Sequence, residues 1–251
     1  MGQHPTAKVP IRPRYPWVDA VRGTAIALMI AYHFCFDLVY FGVLSIDFNH
    51  TLFWLGLRSL IVSLFLGVMG MSLMLASRHG LRWRPYLRRL ALLLASAGLV
   101  SLGSYLLFPA SMIFFGVLHF IVVASVLALP FVHFYWINLV AGASLIIFGL
   151  IYQNELFNQP WLQWFGLMTY KPVTEDYVPL LPWFGVVLIG IFAGKAIYHR
   201  APLPRFAAWQ PVGTHGKILA WAGRHSLAIY LIHQPVLLSV MYPLLLIRNY
   251  T

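Results

Sequence analysis

Charge is what this chain has least of. Only 9% of its 251 residues are Asp, Glu, Lys or Arg, against roughly a quarter in an ordinary soluble domain. Acid is scarcer than base: 6 Asp and Glu stand against 17 Lys and Arg. The single cysteine, Cys35, excludes an intramolecular disulfide and reads as a small packing residue in an apolar run. GxxxxGK(S/T), GxGxxG ahead of a helix, HExxH and GxSxG are absent from any suitable setting. Nucleotide hydrolysis, zinc proteolysis and serine hydrolysis therefore have no support. There is also no internal repeat of the transporter kind and no low-complexity tract.

What is present is apolar surface. Hydrophobic residues make up 61% of the chain, and the mean hydropathy is +0.79. These values describe an integral membrane protein, expected as one domain with no soluble appendage. A net charge of +11 would suggest nucleic acid in a soluble protein. In a membrane protein it is read by position, because Lys and Arg collect on the cytoplasmic side. No nucleic-acid partner is expected.

The expected fold is all-α, a polytopic transmembrane helix bundle. A span needs about 20 apolar residues, and about seven runs qualify: 17–43, 52–77, 88–107, 112–130, 134–152, 179–198 and 218–246. Residues 1–16 read as a basic cytoplasmic tail, and 17–248 as a single transmembrane domain. The basic clusters alternate with this count. Lys8, Arg12 and Arg14 lie in the tail. Arg78, Arg82, Arg84, Arg88 and Arg89 follow the second span, and Lys195, Arg200, Arg205 and Lys217 follow the sixth. All three fall on one side, which places the N-terminus inside and the C-terminus outside. The loop 153–178 carries Glu155, Glu175 and Asp176 against one Lys171 and falls on the other side.

The first span, VDAVRGTAIALMIAYHFCFD, holds four groups that a bilayer penalises: Asp19, Arg22, His33 and Asp37. At 100° per residue they share about 60° of the helix wheel, with Arg22 and His33 roughly 16 Å apart along the axis. Asp19 and Arg22 are also spaced to pair and anchor the helix end, and His33 alone reads equally as a packing histidine. A stripe of ionisable groups across the membrane favours function. Arg58, near the outer end of the second span, is expected to pair with Asp37, tying two spans and orienting His33. His50, in FNHTLF, sits at the outer edge, where an external substrate would enter.

The fourth span carries His119 in MIFFGVLHFIVV, which by itself reads as a packing histidine. The seventh carries ILAWAGRHSLAIYLIHQPVLLSVM. There Ser226, Tyr230, His233 and Gln234 share about 100° of the wheel. Arg224 and His225 lie nearer the cytoplasmic mouth, and Pro235 is expected to kink the helix. His33, His119 and His233 come to similar depth and would form a polar cavity if their spans adjoin. They lack HxxxH spacing and supporting carboxylates, so no metal is expected.

Several stretches resemble one family. VDAVRGTAIALMIAYHFCFDL, with His33 eleven positions after Arg22, is similar to the first helix of membrane acyltransferases. MIFFGVLHFI, EDYVPLLPWFGVVLIGI and GRHSLAIYLIHQPVL resemble, in order, segments of the heparan-α-glucosaminide N-acetyltransferase catalytic-domain group. The last is shared with acyltransferase-3 proteins. DYVPLLPWFG and RHSLAIYLIHQP are the specific ones.

The resemblance implies a multi-pass enzyme of the plasma membrane, a bacterial inner membrane, surrounded by lipid. It would move an acyl group from cytoplasmic acetyl-CoA, or another acyl-CoA, to an extracytoplasmic glycan-type acceptor through a sugar hydroxyl or amine. Arg22, Arg88, Arg89 and Arg224 are the candidates for the CoA phosphates, although topology alone explains most loop arginines. His33 would be the general base, or the nucleophile of an acyl-histidine variant. Asp37 would orient it, and Tyr230, Ser226 or His233 would stabilise the oxyanion. Arg58, His119 and Gln234 complete the cavity. There is one departure. The glucosaminide acetyltransferases have Asn at the position of His33 and a working histidine further on, whose counterpart here is His50. The acceptor therefore need not be glucosamine, and the large luminal domain of those enzymes is not expected here. The oligomeric state stays open, a homodimer included. The competing classes are a proton-coupled solute transporter and a non-catalytic envelope protein.

Overall fold

The computed structural model describes residues 15–174, 176–198 and 202–250, with side chains as far as Pro243. Residues 1–14 of the tail, Glu175 and Arg200 lie outside the described residues. Among those described, the chain is all-helical: α1 (Pro16–Tyr40), α2 (Leu52–Ser77), α3 (Trp83–Leu107), α4 (Val117–Leu127), α5 (Trp136–Ile151), α6 (Leu180–Tyr198), α7 (Gly213–Arg224) and α8 (Ser226–Tyr250). Pro16 opens α1, where its missing N–H costs nothing.

Five of these helices are long and apolar enough to cross a bilayer: α1, α2, α3, α6 and the part of α8 up to Pro243. The expected fourth and fifth spans contain shorter helices, α4 of 11 residues and α5 of 16. At 1.5 Å per residue α4 is about 16 Å long, roughly half of the hydrocarbon core. Pro130 lies beyond its C-terminal end, where a 3-10 turn, Pro130–His133, follows. Asn138, fully buried at the start of α5, secures that turn by donating to the carbonyls of Phe131 and Phe134 at 2.9 and 2.6 Å.

The expected seventh span is two helices with a break at His225. The His225 N–H turns back to the carbonyls of Trp221 and Ala222, and its Nδ1 lies 2.9 Å from the Trp221 carbonyl. This closes the end of α7. α8 then continues through Pro235 and Pro243. Together α7 and α8 run alongside α1 in one register, with Gly223 against Gly23 and His233 against His33, 200 residues apart in sequence.

Backbones approach closely at three crossings. A Cβ on Gly223 would lie 1.7 Å from the Asp19 carbonyl, and one on Gly23 would lie 2.0 Å from that of Leu219. Gly70 and Gly190 play the same part between α2 and α6, as do Gly142 and Gly185 between α5 and α6. Within lipid, apolar burial does not drive helices together. Small residues that let backbones meet supply the packing instead. The core lies around α2, α4 and α6, where Leu66, Phe120, Val187, Leu188 and Ile191 are fully buried. α3 and α5 turn Leu99, Leu102, Ile147 and Ile151 outward, the arrangement of a lipid-facing surface.

Candidate active site between α1 and α8

Two histidines meet where α8 runs beside α1. His33 Nδ1 lies 2.6 Å from His233 Nε2, and His233 Nδ1 lies 2.6 Å from the Tyr230 carbonyl. The ring centroids are 4.9 Å apart with planes 21° from parallel. With nitrogens this close, such a centroid separation means that the rings meet edge to edge and not face to face. His233 is buried, at 8% exposure. His33 is half-buried. Among the described residues its Nε2 has no hydrogen-bond partner, and it is not sealed away from the surface.

One turn further along, α1 and α8 are tied again. Gln234 Nε2 donates to Asp37 Oδ1 at 2.7 Å. Asp37 is 2% exposed, and its Oδ2 and the Gln234 Oε1 are buried without hydrogen-bond partners among the described residues. This corrects two expectations. Asp37 does not pair with Arg58, which forms no ion pair among the described residues. Nor is it hydrogen-bonded to His33. Its short side chain points across the helix interface to α8, and the helix wheel does not say which neighbour fills the facing position. Tyr230 reaches a different carboxylate. Its hydroxyl donates to Asp176 Oδ2, which also accepts the Val117 N–H at 3.2 Å. Asp176 thus joins α8 to the first turn of α4. It sits at φ +49° in the segment before α6.

Nearer the start of α1, Arg22 is the junction of three helices. It donates to Asp19 at 3.2 Å, to Ser72 Oγ on α2 at 2.7 Å and to the Gly223 carbonyl of α7 at 3.4 Å. Arg89 on α3 lies close enough to repel it electrostatically. Arg89 is exposed beside a small cleft with Tyr86, Leu93 and Ser125. Arg88 and Arg224 are also exposed. Arg22 has the Asp19 carboxylate beside it, and Arg89 adds a second guanidinium nearby, which leaves excess positive charge at this end. Such a site suits the phosphates of a nucleotide-type ligand.

The remaining candidates stand apart from the histidine pair. His119 Nδ1 accepts the Gly116 N–H at 3.2 Å, and its Nε2 lies 3.1 Å from Ser101 Oγ. Both nitrogens are used in holding the start of α4 against α3, so His119 is a packing histidine. His50 stands on an exposed turn, with Nδ1 2.8 Å from Asp47 Oδ2. Asp47 also accepts the N–H groups of Asn49 and His50 at 2.9 and 3.0 Å. The Asn49 bond, more than any other, holds its carboxyl below the usual range. Ser226 is the first residue of α8, seven positions before His233, and among the described residues no side-chain hydrogen bond brings it to the pair. An open groove of about 360 Å³, lined by Phe114, Phe115, Val123, Pro160, Trp161 and Trp164, contains none of these residues.

Sequence reasoning missed Ser72 and the Tyr230 carbonyl. A serine in an apolar run and a backbone oxygen leave no signal. Asp176 was visible as an acid of the 153–178 loop and as part of DYVPLLPWFG, with nothing to assign it to Tyr230. Residues 14–235 match the family model described as "Heparan-alpha-glucosaminide N-acetyltransferase, catalytic". No curated protein and no solved structure matches the chain.

Proposed function

The chain belongs to the heparan-α-glucosaminide N-acetyltransferase catalytic family, and from that premise we propose that it transfers an acyl group across the membrane with His33 as general base. The donor is acyl-CoA, acetyl-CoA first, bound on the cytoplasmic side. The acceptor is a sugar hydroxyl or amine on the outer side. The observation that carries this reading is the open Nε2 of His33, inside a membrane bundle whose arginine-rich mouth lies roughly 16 Å away along α1.

The chemistry needs a group that removes a proton from the acceptor as it attacks the thioester carbonyl. A neutral imidazole does this near neutral pH and typically contributes about 10²–10⁴-fold. Arg22 and Arg89 supply charge for the CoA phosphates. The bonds of Arg22 to Asp19, Ser72 and Gly223 hold its guanidinium in place, and so lower the ordering cost of binding. Three basic clusters on one side support an N-inside, seven-span topology. In that topology the shorter α4 and α5 complete spans with the irregular segments beside them.

The test is calorimetric binding of acetyl-CoA to the purified chain in detergent, with wild type and Arg22→Ala. Micromolar binding that falls at least tenfold in the variant is the expected result. A folded protein that binds neither acetyl-CoA nor a longer acyl-CoA overturns the assignment and favours a transporter.

A further inference from the structure

We propose that His233 is a positioning and proton-relay residue. It holds His33 in the tautomer whose bare Nε2 faces the acceptor, and it takes up the charge that the base acquires. The relay half rests on the acyl-transfer reading above; the tautomer half does not.

The argument starts at the Tyr230 carbonyl. A carbonyl oxygen only accepts, so His233 Nδ1, 2.6 Å away, carries a hydrogen. In a neutral ring His233 Nε2 is then a lone pair. His33 Nδ1, 2.6 Å from it, must therefore be the donor. A neutral His33 that carries its hydrogen on Nδ1 has a bare Nε2. The edge-to-edge ring geometry aligns the N–H with that lone pair. Ties flank the pair on both sides, Arg22 to the Gly223 carbonyl before it and Gln234 to Asp37 after it. Each bridges α1 to the α7–α8 arm, so the register of the two rings is held from both ends.

The proton balance closes without another reagent. As the acceptor oxygen or nitrogen bonds to the acyl carbon, its hydrogen passes to His33 Nε2. The Nδ1 hydrogen of His33 moves to His233 Nε2. The positive charge then rests on His233, whose Nδ1–H faces the Tyr230 carbonyl. As the carbon–sulfur bond breaks, the hydrogen on His33 Nε2 goes to the CoA sulfur, and His233 returns its own to His33 Nδ1. The products are acylated acceptor and CoA thiol. A base locked in the productive tautomer by a second group is worth large factors in other enzymes, up to about 10⁴ where the wrong tautomer replaces the right one.

The experiment is nitrogen-15 histidine NMR of the full chain in lipid nanodiscs. His33 is assigned from the signal lost in His33→Asn. Wild type is expected to show His33 with Nδ1 protonated and Nε2 bare. His233→Gln keeps this pattern, because its amide oxygen reaches the place of Nε2 and accepts. His233→Phe keeps a ring but loses the acceptor, and the preference disappears. In acetyl transfer from acetyl-CoA to glucosamine as probe acceptor, His233→Phe lowers kcat by about a hundredfold with KM within about twofold, and His233→Gln loses about tenfold. A wild-type His33 protonated on Nε2, or an unchanged tautomer and kcat in His233→Phe, overturns the proposal. Loss of acetyl-CoA binding in wild type is a separate result. It removes the acyl-transfer reading and the relay with it, and leaves the NMR measurement to decide the tautomer.

Discussion

His33 on α1 and His119 on α4 are both histidines of apolar helices, and the partners of their ring nitrogens differ. His119 has a neighbour for each ring nitrogen, the Gly116 N–H and the Ser101 hydroxyl, and the Ser101 hydroxyl is itself anchored by donating to the Ile113 carbonyl at 2.6 Å. His33 has a neighbour for one nitrogen and leaves the other open. An imidazole satisfied at both ends is a structural bracket. One satisfied at a single end is oriented and still able to accept a proton. The count of filled nitrogens separates them.

Removing each ring should separate the two roles. His33→Ala should abolish acetyl transfer, by at least about 10³-fold if the ring is the base, while acetyl-CoA still binds in calorimetry. Transfer that survives in His33→Ala would erase the contrast. His119→Ala should act on stability. It leaves the Gly116 N–H without its acceptor at a half-buried site, a cost of about 1 kcal/mol. The expected readout is a lower thermal midpoint with acetyl transfer within about threefold of wild type.

Between these extremes lies the strut beside the pair. Gln234→Leu removes the bond to Asp37 and leaves a buried carboxyl unpaired. The register of α8 on α1 should loosen, with kcat down about tenfold and KM changed little. An unchanged kcat would mean that the Gly23–Gly223 crossing holds the pair unaided. The smallest effect is expected at His50, whose contacts lie within its own exposed turn. His50→Ala should stay within about twofold in acetyl transfer, and a large loss there would move the chemistry to the outer edge.

The sequence carried the stripe on α1 because a helix wheel needs only the fixed rotation per residue. Arg22, His33 and Asp37 are legible in this way, as is the grouping of Tyr230, His233 and Gln234 on α8. The Asp37–Arg58 pair was misread for the same reason. A wheel gives the face of a residue and not the helix opposite it. The break at His225 was not read from the sequence, although Gly223 and Ser226 flank it, because it is closed by a side chain folding back to the Trp221 carbonyl, a contact that no helix wheel shows.

By itself, then, the sequence determined that this is an all-helical membrane protein, which helices are apolar, and which polar residues share a face. Those properties follow from composition and from the periodicity of one helix at a time. Tertiary structure decided that α7 and α8 lie beside α1, that His233 meets His33, and that Asp37 takes Gln234. These depend on where glycines let two backbones touch, at Gly23 and Gly223 above all. That is a property of two surfaces together, and no single stretch of sequence contains it.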